Sequence, residues 1–423
     1  MNVVDIIISK KDNKKLTKKE IDFVIENYTN GNIEDYQMSS LLMAICINGL
    51  DDEEIFFLTD AMLKSGDIID LSEIDGIKVD KHSTGGIGDK TTLILTPLVA
   101  SIGVKAPKMS GRGLGITGGT IDKLEAIENF EVSSKLSDFV KEVNEIGTAL
   151  VSQTGNLVPA DKKIYALRDV TGTTNSLGLI ASSIMSKKIA SGADKYVIDV
   201  KYGKGAFMEN PKEAQKLASI MIDIGKRYNK DVVCFITNMN NPLGNAIGNG
   251  LEVCEAIETL IGNGPADLTE LVKILASEMV SMGLNVSSRE ALSKIEDNLT
   301  NGKAYEKFKE MIKYQKGNIN KIKISNYNID IISDKEGYIH EIDALKVGNF
   351  VSDLGASRKT KDENIDYGVG IVLNKQVTDF VKKGEKLLSI YYNKKIDFEK
   401  IKEAFIISKE KIEKQPVVYK IIR

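Results

Sequence analysis

The sequence predicts a multidomain α/β protein with an all-α lobe, a central α/β lobe carrying a mixed sheet and glycine-rich loops, and a C-terminal α+β domain. Three observations predict this fold. Amphipathic patterns of helical period fill the first 70 residues, strand and helix patterns alternate from about residue 77, and short β-type runs with turn glycines follow residue 330. With 423 residues, the chain is long enough for two or three domains.

The all-α lobe is predicted from residues 1–70 together with residues 159–190. Thr17 and Glu20 form the pattern of a capping box at the start of the first helix that we expect. Residues 159–190 contain two consecutive helix patterns with no strand between them. We therefore expect this pair to leave the α/β lobe and pack with the N-terminal helices, with a ligand cleft between the lobes.

The remaining chain divides between the other two units. The α/β lobe is predicted from residues 71–158 plus 191–330, and the C-terminal α+β domain from residues 331–423. A polar stretch rich in Lys and Asn, residues 316–328, is interpreted as a linker. Residues 347–350 are interpreted as one of the β-type runs of the C-terminal domain.

Composition excludes several classes of protein. The net charge is −3, so no global basic field would attract nucleic acid or an anionic membrane. Cys46, Cys234 and Cys254 show neither a CxxC pair nor zinc-site spacing, which argues against a disulfide framework or a metal cluster. Neither a signal-peptide pattern nor a run of membrane-spanning length is present, so we expect a cytoplasmic protein.

Two glycine-rich loops stand at the start of the α/β lobe, over residues 81–90 and 108–125. Each follows a short strand pattern and precedes a helix pattern, which places it at the carboxyl end of a strand and at a helix N-terminus. Because glycine lets backbone N–H groups approach a ligand closely, the loops predict binding of an oxyanion such as phosphate. A tight turn would explain one such loop but explains two poorly.

Polar side chains in these loops are the first candidate site residues, since they supply positive charge or hydroxyl donors. They are Lys81, Ser83, Ser110 and Thr120. His82 lies next to Lys81 within the first loop and is interpreted as a ligand contact. The chain's other histidine, His340, has no neighbouring chemistry and is interpreted as structural.

A second group of candidates lies on the helices of residues 159–190. Ser183 and Lys187 are four residues apart, so both project from one face of a helix that is otherwise small and apolar. Arg168 lies on the preceding helix. Lys188 is interpreted as a surface residue. For each of these candidates taken singly, a solvent-exposed role is preferred.

These stretches together resemble the thymidine phosphorylase/pyrimidine-nucleoside phosphorylase family, in order and over essentially the whole chain. The stretches that carry the resemblance are residues 81–89 (KHSTGGIGD), 110–125 (SGRGLGITGGTIDKLE), 165–171 (YALRDVT), 182–190 (SSIMSKKIA), 205–208 (GAFM) and 241–249 (NPLGNAIGN).

The resemblance implies a homodimer that catalyses a step of pyrimidine salvage. A pyrimidine nucleoside (uridine, thymidine or deoxyuridine) and inorganic phosphate would be converted reversibly into free base and pentose 1-phosphate, without an organic cofactor. The implied phosphate-binding residues are Lys81, Ser83, Thr92, Lys108, Ser110 and Thr120. The implied base-binding residues are His82, Arg168, Ser183 and Lys187, of which His82, Arg168 and Lys187 are the implied catalytic residues.

That chemistry agrees with the residue types. Breaking the N-glycosidic bond leaves negative charge on the pyrimidine, so cationic Arg168 and Lys187 would stabilise the departing base more than the neutral substrate. Phosphate is already a nucleophile, so holding and aligning it contributes more than deprotonating it.

The sequence departs from the family pattern at two positions. Ile116 replaces a usual histidine, which puts a hydrogen bond of lobe closure in doubt. Lys90 replaces a usual threonine in a potassium site that the resemblance implies. The other members of that metal site are Gly88, Leu243, Ala246 and Glu255. The ion would persist if residue 90 contributes its carbonyl, and would not if the ligand is the hydroxyl or if the lysine ammonium competes.

Several alternative functions remain for comparison. Lys108 resembles the branch that accepts uridine, and a strict thymidine phosphorylase is the first alternative. An anthranilate phosphoribosyltransferase-like enzyme would share the fold but would need an acidic pair for magnesium–diphosphate. A catalytically silent nucleoside- or phosphate-binding regulator is a third. A dinucleotide oxidoreductase is disfavoured because no acidic ribose-binding residue follows the first loop at the right place.

Overall fold

A computed structural model describes residues 1–113, 116, 118–153, 155–358 and 363–423. Its helices are α1 (Val3–Lys11), α2 (Lys18–Thr29), α3 (Asp35–Asn48), α4 (Asp52–Leu63), α5 (Thr91–Ser101), α6 (Thr120–Leu124), α7 (Leu136–Ile146), α8 (Pro159–Thr171), α9 (Leu177–Ala190), α10 (Pro211–Arg227), α11 (Asn249–Leu260), α12 (Ala266–Leu284), α13 (Ser288–Thr300), α14 (Lys303–Tyr314) and α15 (Ala344–Leu354). Its strands are β1 (Val79–Ser83), β2 (Ala106–Ser110), β3 (Ile127–Glu128), β4 (Thr148–Ser152), β5 (Lys195–Tyr202), β6 (Asp231–Asn238), β7 (Ala246–Ile247), β8 (Asn318–Ile322), β9 (Asn328–Ile332), β10 (Gly337–Ile342), β11 (Gly370–Leu373), β12 (Phe380–Val381), β13 (Lys386–Tyr391), β14 (Phe405–Ser408) and β15 (Val418–Ile422). A 3₁₀ helix spans Phe398–Ala404.

The central sheet is mixed, as the sequence predicts. β1, β5 and β6 are parallel neighbours, and β15 adds an antiparallel edge beside β6. β2 and β4 form a second parallel pair, which an isolated parallel bridge between Lys78 and Lys105 joins to the first residues of β1. The carboxyl ends of these parallel strands meet at one edge, where ligands bind in open α/β sheets.

The alternation of side chains along the central strands separates two hydrophobic cores. On β5, Val197 packs into the core shared with α5 and α12, whereas Tyr196 and Ile198 pack into the core shared with α9 and α10. Successive side chains of a strand point to opposite faces, so one strand contributes to both cores. The two faces of the sheet are thus both covered by helices.

Helices α8 and α9 lie against the N-terminal helices. α8 contacts α2 and α3, and α9 contacts α4. The capping box that the sequence predicts is present: the Thr17 hydroxyl accepts a hydrogen bond from the Glu20 backbone N–H, and the Glu20 carboxylate accepts one from the Thr17 N–H. The exact domain boundaries remain predictions.

The prediction of a strand at residues 347–350 is wrong, because these residues lie inside α15. Asp343 caps the helix by accepting a hydrogen bond from the Lys346 N–H. Val347, Val351 and Leu354 are buried at helical spacing. The apolar run is therefore one face of an amphipathic helix, a case in which a short run cannot reveal its period.

The stretch 316–328 is more than a linker, since it contains β8 and begins β9. β8 pairs antiparallel with β3 across a long sequence separation. Its Asn and Lys residues have low strand propensity, so tertiary pairing overrides the local signal. The last strand, β15, likewise joins the central sheet instead of the sheets of the C-terminal region.

Within the described residues, no helix has both the length and the apolar character needed to cross a bilayer.

Candidate active site

The first glycine-rich segment is organised by the carboxylate of Asp89. Residues 81–83 belong to strand β1, and the loop proper begins after Ser83. The Ser83 hydroxyl donates to Asp89 Oδ2 at 2.6 Å, and the Thr91 backbone N–H donates to Asp89 Oδ1 at 3.1 Å. Asp89 therefore ties the end of β1 to the N-terminus of α5, which fixes the loop between them.

Lys81 lies at the centre of a buried group of charges below this loop. Its side chain is 1% exposed, and its Nζ donates to the Thr91 hydroxyl at 2.6 Å. Asp89 and Asp199 lie 3.9 and 4.0 Å from the same Nζ. Lys201 Nζ is 2.7 Å from Asp199 Oδ2. Two ammonium groups and two carboxylates thus share one water-poor region.

The pKa shifts in this group have identifiable causes. Burial lowers the pKa of Lys81, and the attraction of Asp89 and Asp199 offsets only part of this effect. Burial opposes the charged form of Asp89 too, but Lys201, Lys81 and Lys123 outweigh it and hold the pKa of Asp89 well below its usual range. An anion bound beside Lys81 would favour its charged form, so the site is suited to phosphate.

The second glycine-rich segment is anchored by Asp122 and Lys123 of α6. The Asp122 carboxylate accepts a hydrogen bond from the Gly113 N–H at 2.6 Å and pairs with Arg358 at 2.8 Å. Lys123 Nζ donates to the Asp89 carbonyl at 2.6 Å and lies 2.7 Å from Glu252 Oε2. The two glycine segments are therefore directly connected. Residues 114, 115 and 117 of this segment lie outside the described residues.

Ile116 is described and is partly buried among apolar side chains of the core that includes the C-terminal region. Its Cβ lies 3.5 Å from the point that a Cβ at Gly348 of α15 would occupy. An apolar contact therefore stands where the family pattern has histidine, and the effect on lobe closure stays a prediction.

Three predicted phosphate ligands place hydroxyl groups around this region. Thr92 lies in the first turn of α5, Ser110 ends β2 and Thr120 begins α6. Within the described residues, none of these three hydroxyls makes a hydrogen bond. They are available to donate to an oxyanion, Thr92 and Thr120 from helix N-termini and Ser110 from the carboxyl end of a strand.

Lys108 and Lys188 share the buried carboxylate of Asp80. Lys108 Nζ lies 3.0 Å from Asp80 Oδ1 and donates to the Lys81 carbonyl, while Lys188 Nζ lies 2.7 Å from Asp80 Oδ2. Burial lowers the pKa of Lys108 to about 7 despite the neighbouring carboxylate. The interpretation of Lys188 as a surface residue is wrong, since it is 2% exposed. The pairing partner, Asp80, is 108 residues away in sequence, so no local pattern shows it.

His82 lies between the phosphate loops and α9. Burial lowers its pKa well below the usual value, and the positive charges of Lys188, Lys108 and Lys187 act in the same direction. The imidazole is therefore neutral near pH 7. Its strand partner Ile198 packs into the core shared with α9, so the His82 side chain lies on the α9 side of β1.

Arg168 fastens the turn between α8 and α9. Its guanidinium donates to the carbonyls of Thr173, Thr174 and Leu179 at 3.0, 2.7 and 3.3 Å, and the residue is 2% exposed. Burial lowers its pKa, although Asp161 acts in the opposite direction. Two of the five guanidinium N–H donors make no hydrogen bond within the described residues.

Lys187 is positioned by a residue that the sequence analysis missed. Its Nζ lies 2.7 Å from Asp161 Oδ2, donates to the Ser183 hydroxyl at 3.1 Å and stands 5.5 Å from the centre of the Tyr165 ring. Asp161 is 2% exposed, and its Oδ1 has no hydrogen-bond partner within the described residues. Its position in the first turn of α8 looks like an ordinary helix-start acid, so its contact with α9 has no sequence signal.

The residues predicted as a potassium site also lie together, but an ammonium group occupies their centre. Lys90 Nζ donates to the Leu243 carbonyl at 3.0 Å, the Ala246 carbonyl at 2.8 Å and Glu255 Oε2 at 2.5 Å. The Gly88 carbonyl accepts a hydrogen bond from the Lys90 backbone N–H at 2.9 Å. The oxygens that would hold K⁺ are therefore already bound to Lys90, and these residues do not fit the ion. Within the described residues, no group of three or more His, Cys, Asp or Glu side chains forms a metal site.

Comparison with known families agrees with this architecture. The α/β domain of the glycosyl transferase family matches residues 75–305, and the helical bundle domain of the same family matches residues 4–66. The molecule is therefore a glycosyl transferase.

The C-terminal region narrows the assignment. The pyrimidine nucleoside phosphorylase C-terminal domain matches residues 338–409. Proteins named pyrimidine-nucleoside phosphorylase from Staphylococcus haemolyticus, Geobacillus stearothermophilus and Bacillus subtilis are each 53% identical over 401 residues, covering 93% of both chains. The chain belongs to the pyrimidine-nucleoside phosphorylase family.

One solved structure shares the fold at low sequence identity. The crystal structure of anthranilate phosphoribosyltransferase from Thermus thermophilus superimposes with a TM-score of 0.60 at 16% sequence identity, over 75% of this chain and all of that one. At this identity, the likeness concerns the fold alone.

Proposed function

We propose that the protein catalyses the reversible phosphorolysis of pyrimidine nucleosides to free base and pentose 1-phosphate. The observation that carries the proposal is the position of His82. His82 follows Lys81 on β1, and its strand partner Ile198 packs into the core shared with α9, the helix that bears two of the proposed base ligands. One strand therefore links an anion cradle to a cationic base site.

Phosphate is held, in this proposal, by Lys81, Ser83, Thr92, Lys108, Ser110 and Thr120. The buried network around Lys81 supports this role. Burial lowers the pKa of Lys81, and an incoming anion would stabilise its charged form. The same anion would accept hydrogen bonds from the unbonded hydroxyls of Thr92, Ser110 and Thr120. Asp89 is a positioning residue, since it fixes Ser83 and Thr91 by hydrogen bonds.

The base is held by His82, Arg168, Ser183 and Lys187. An oxygen of hydrogen phosphate bonds to C1′ of the pentose while the C1′–N1 bond breaks and its electron pair moves to the pyrimidine. The proton that hydrogen phosphate brings then neutralises the base. Arg168 and Lys187 favour the step because they bind the developing anion more strongly than the neutral nucleoside. Neutral His82 orients the base without adding charge.

The proposed substrate range rests on the resemblance of Lys108 to the branch of the family that accepts uridine. The Lys108 ammonium is held by Asp80 and the Lys81 carbonyl beside the phosphate loop. We propose that uridine is accepted as well as thymidine and deoxyuridine. A strict thymidine phosphorylase remains the alternative, and the fold shared with anthranilate phosphoribosyltransferase does not by itself discriminate between substrates.

A homodimer is proposed on the basis of exposed apolar residues on two contacting helices. Val4 and Ile8 are exposed on one face of α1, and Tyr36, Met43 and Ile47 on one face of α3. α1 and α3 contact each other. We propose that these exposed side chains together form one surface, the α1–α3 apolar patch. A second copy that covered the patch would remove this apolar surface from water.

The experiment is a phosphate-dependent assay on uridine, thymidine and deoxyuridine, with free base measured by chromatography. Base release from all three is expected. Release from the deoxynucleosides alone would favour the strict alternative. No release from a folded sample with phosphate present would overturn the proposal.

A further inference from the structure

Lys90 forms a fully buried ion pair at the end of the first glycine-rich loop, two residues before Thr92. Its side chain is 0% exposed, and its three hydrogen-bond acceptors come from two separate parts of the chain: the carbonyls of Leu243 and Ala246, and the carboxylate of Glu255 on α11. An ammonium has three N–H donors, so the acceptors match its full capacity.

The same three acceptors would suit a monovalent cation. Backbone carbonyls can replace the hydration shell of K⁺, and a carboxylate supplies the compensating charge. A second cation in this pocket would lie within about 3 Å of the ammonium, where repulsion in a water-poor interior is large. The pocket therefore holds either Lys90 or an ion, and not both.

We propose that Lys90 is a built-in cation that makes the protein independent of potassium. The proposal builds on the proposed function, because it assigns to Lys90 a positioning role for that same site. It replaces the expectation of a bound K⁺ at Gly88, Lys90, Leu243, Ala246 and Glu255.

The contacts of the pocket show what such a cation holds together. On one side, Lys90 adjoins Asp89, which organises the phosphate loop. On the other side, Glu255 also accepts hydrogen bonds from the N–H groups of Asn245 and Ala246, at 2.9 and 3.0 Å.

The segment around residues 244–247 continues this link into the C-terminal region. Gln376 donates to the Gly244 carbonyl at 2.9 Å, and β7 pairs with β11. Lys90 therefore connects the phosphate loop to the C-terminal region through one buried charge.

The first test uses the wild-type protein exchanged exhaustively into tetramethylammonium, sodium or potassium salts at equal ionic strength. Thermal midpoint and initial rate of phosphorolysis are both measured. We expect midpoints to coincide and rates to agree within about twofold, because no alkali ion can enter the pocket.

The second test uses two substitutions with opposite expectations. Lys90→Thr removes the ammonium and leaves space, so its midpoint should fall by roughly 5 °C or more in tetramethylammonium and recover with K⁺ in a saturable manner. Lys90→Met keeps the stem that fills the pocket, so its midpoint should fall without recovery by any ion. Lys394→Met, in an exposed loop, is the matched control.

Two results would overturn the proposal: a wild-type midpoint or rate that rises specifically and saturably with K⁺, or a folded Lys90→Thr variant that shows no response to K⁺. If Lys90→Thr does not fold, the wild-type series decides alone. Absence of turnover in every salt would count against the proposed function, while the midpoints would still test Lys90.

Discussion

At the scale of single residues, the site depends on buried lysines whose partners are distant in sequence. Lys81, Arg168, Ser183 and Lys187 could be chosen from sequence because they fall in recognisable stretches. Asp161 could not, because its carboxylate reaches Lys187 only once the turn between α8 and α9 has formed. The interpretation of Lys188 as a surface residue is wrong for the same reason, because its burial depends on a contact with Asp80 of β1 that the sequence of α9 does not show.

Replacing Lys187 tests the base site most simply. Lys187→Met alone would leave the buried Asp161 carboxylate unpaired, so the double variant Lys187→Met/Asp161→Asn separates catalysis from stability. We expect kcat/KM for uridine to fall by about 10²–10³, because one stabilising charge at the developing anion is lost. Steady-state kinetics and a thermal melt of the same sample measure both effects.

The control is Lys162→Met, next to Asp161 on the same helix but exposed. It should leave kcat/KM unchanged. A double variant that keeps wild-type kcat/KM would contradict the assignment of Lys187.

At the scale of elements, the positions of the glycine loops could be predicted from the sequence, but the side-chain contacts that hold the loops in place could not. The strand–loop–helix order around residues 81–90 follows from composition and spacing. The direct link from Lys123 of α6 to the Asp89 carbonyl requires the folded chain. The segment at residues 347–350 shows why the sequence can mislead, because a segment of four residues fits a strand or one turn of a helix equally well.

Two glycines of the second loop provide a matched pair of substitutions. A Cβ at Gly119 would lie 2.1 Å from the Gly113 backbone N, whereas a Cβ at Gly111 would meet nothing within 4 Å. Gly119→Ala should therefore displace the loop and lower kcat/KM for phosphate by about tenfold or more, since a small displacement of a positioning group is costly. Gly111→Ala should stay within about twofold of wild type.

Phosphate titration at saturating nucleoside measures both variants. Equal kinetics for Gly119→Ala and Gly111→Ala would argue that the second loop does not hold phosphate.

At the scale of the whole molecule, the three predicted units are joined more closely than their sequence order suggests. β15 brings the end of the chain to the central sheet, and β7 brings the α/β region into a sheet with β11. The fold class was predictable because each region has its own periodicity. These crossings were not, because strands of two to five residues carry little signal of which partner they pair with.

The proposed homodimer predicts a solution mass of about 93 kDa, twice the 46.5 kDa of one chain. Ile47→Glu places a charge in the α1–α3 apolar patch and should shift the equilibrium toward monomer, because burying an unpaired carboxylate is costly. Light scattering after size exclusion measures the mass. Ile406→Glu, at an equally apolar but separate exposed position, should remain dimeric. A wild-type monomer at all concentrations would contradict the proposal.

The most direct measurement is the identity of the sugar product. Uridine is incubated with the protein in the presence and absence of inorganic phosphate, and the products are identified by phosphorus NMR and chromatography. The account predicts uracil and ribose 1-phosphate in equal amounts, with no uracil formed when phosphate is omitted. Free ribose, or base release that does not depend on phosphate, would contradict a site built to hold phosphate as the nucleophile.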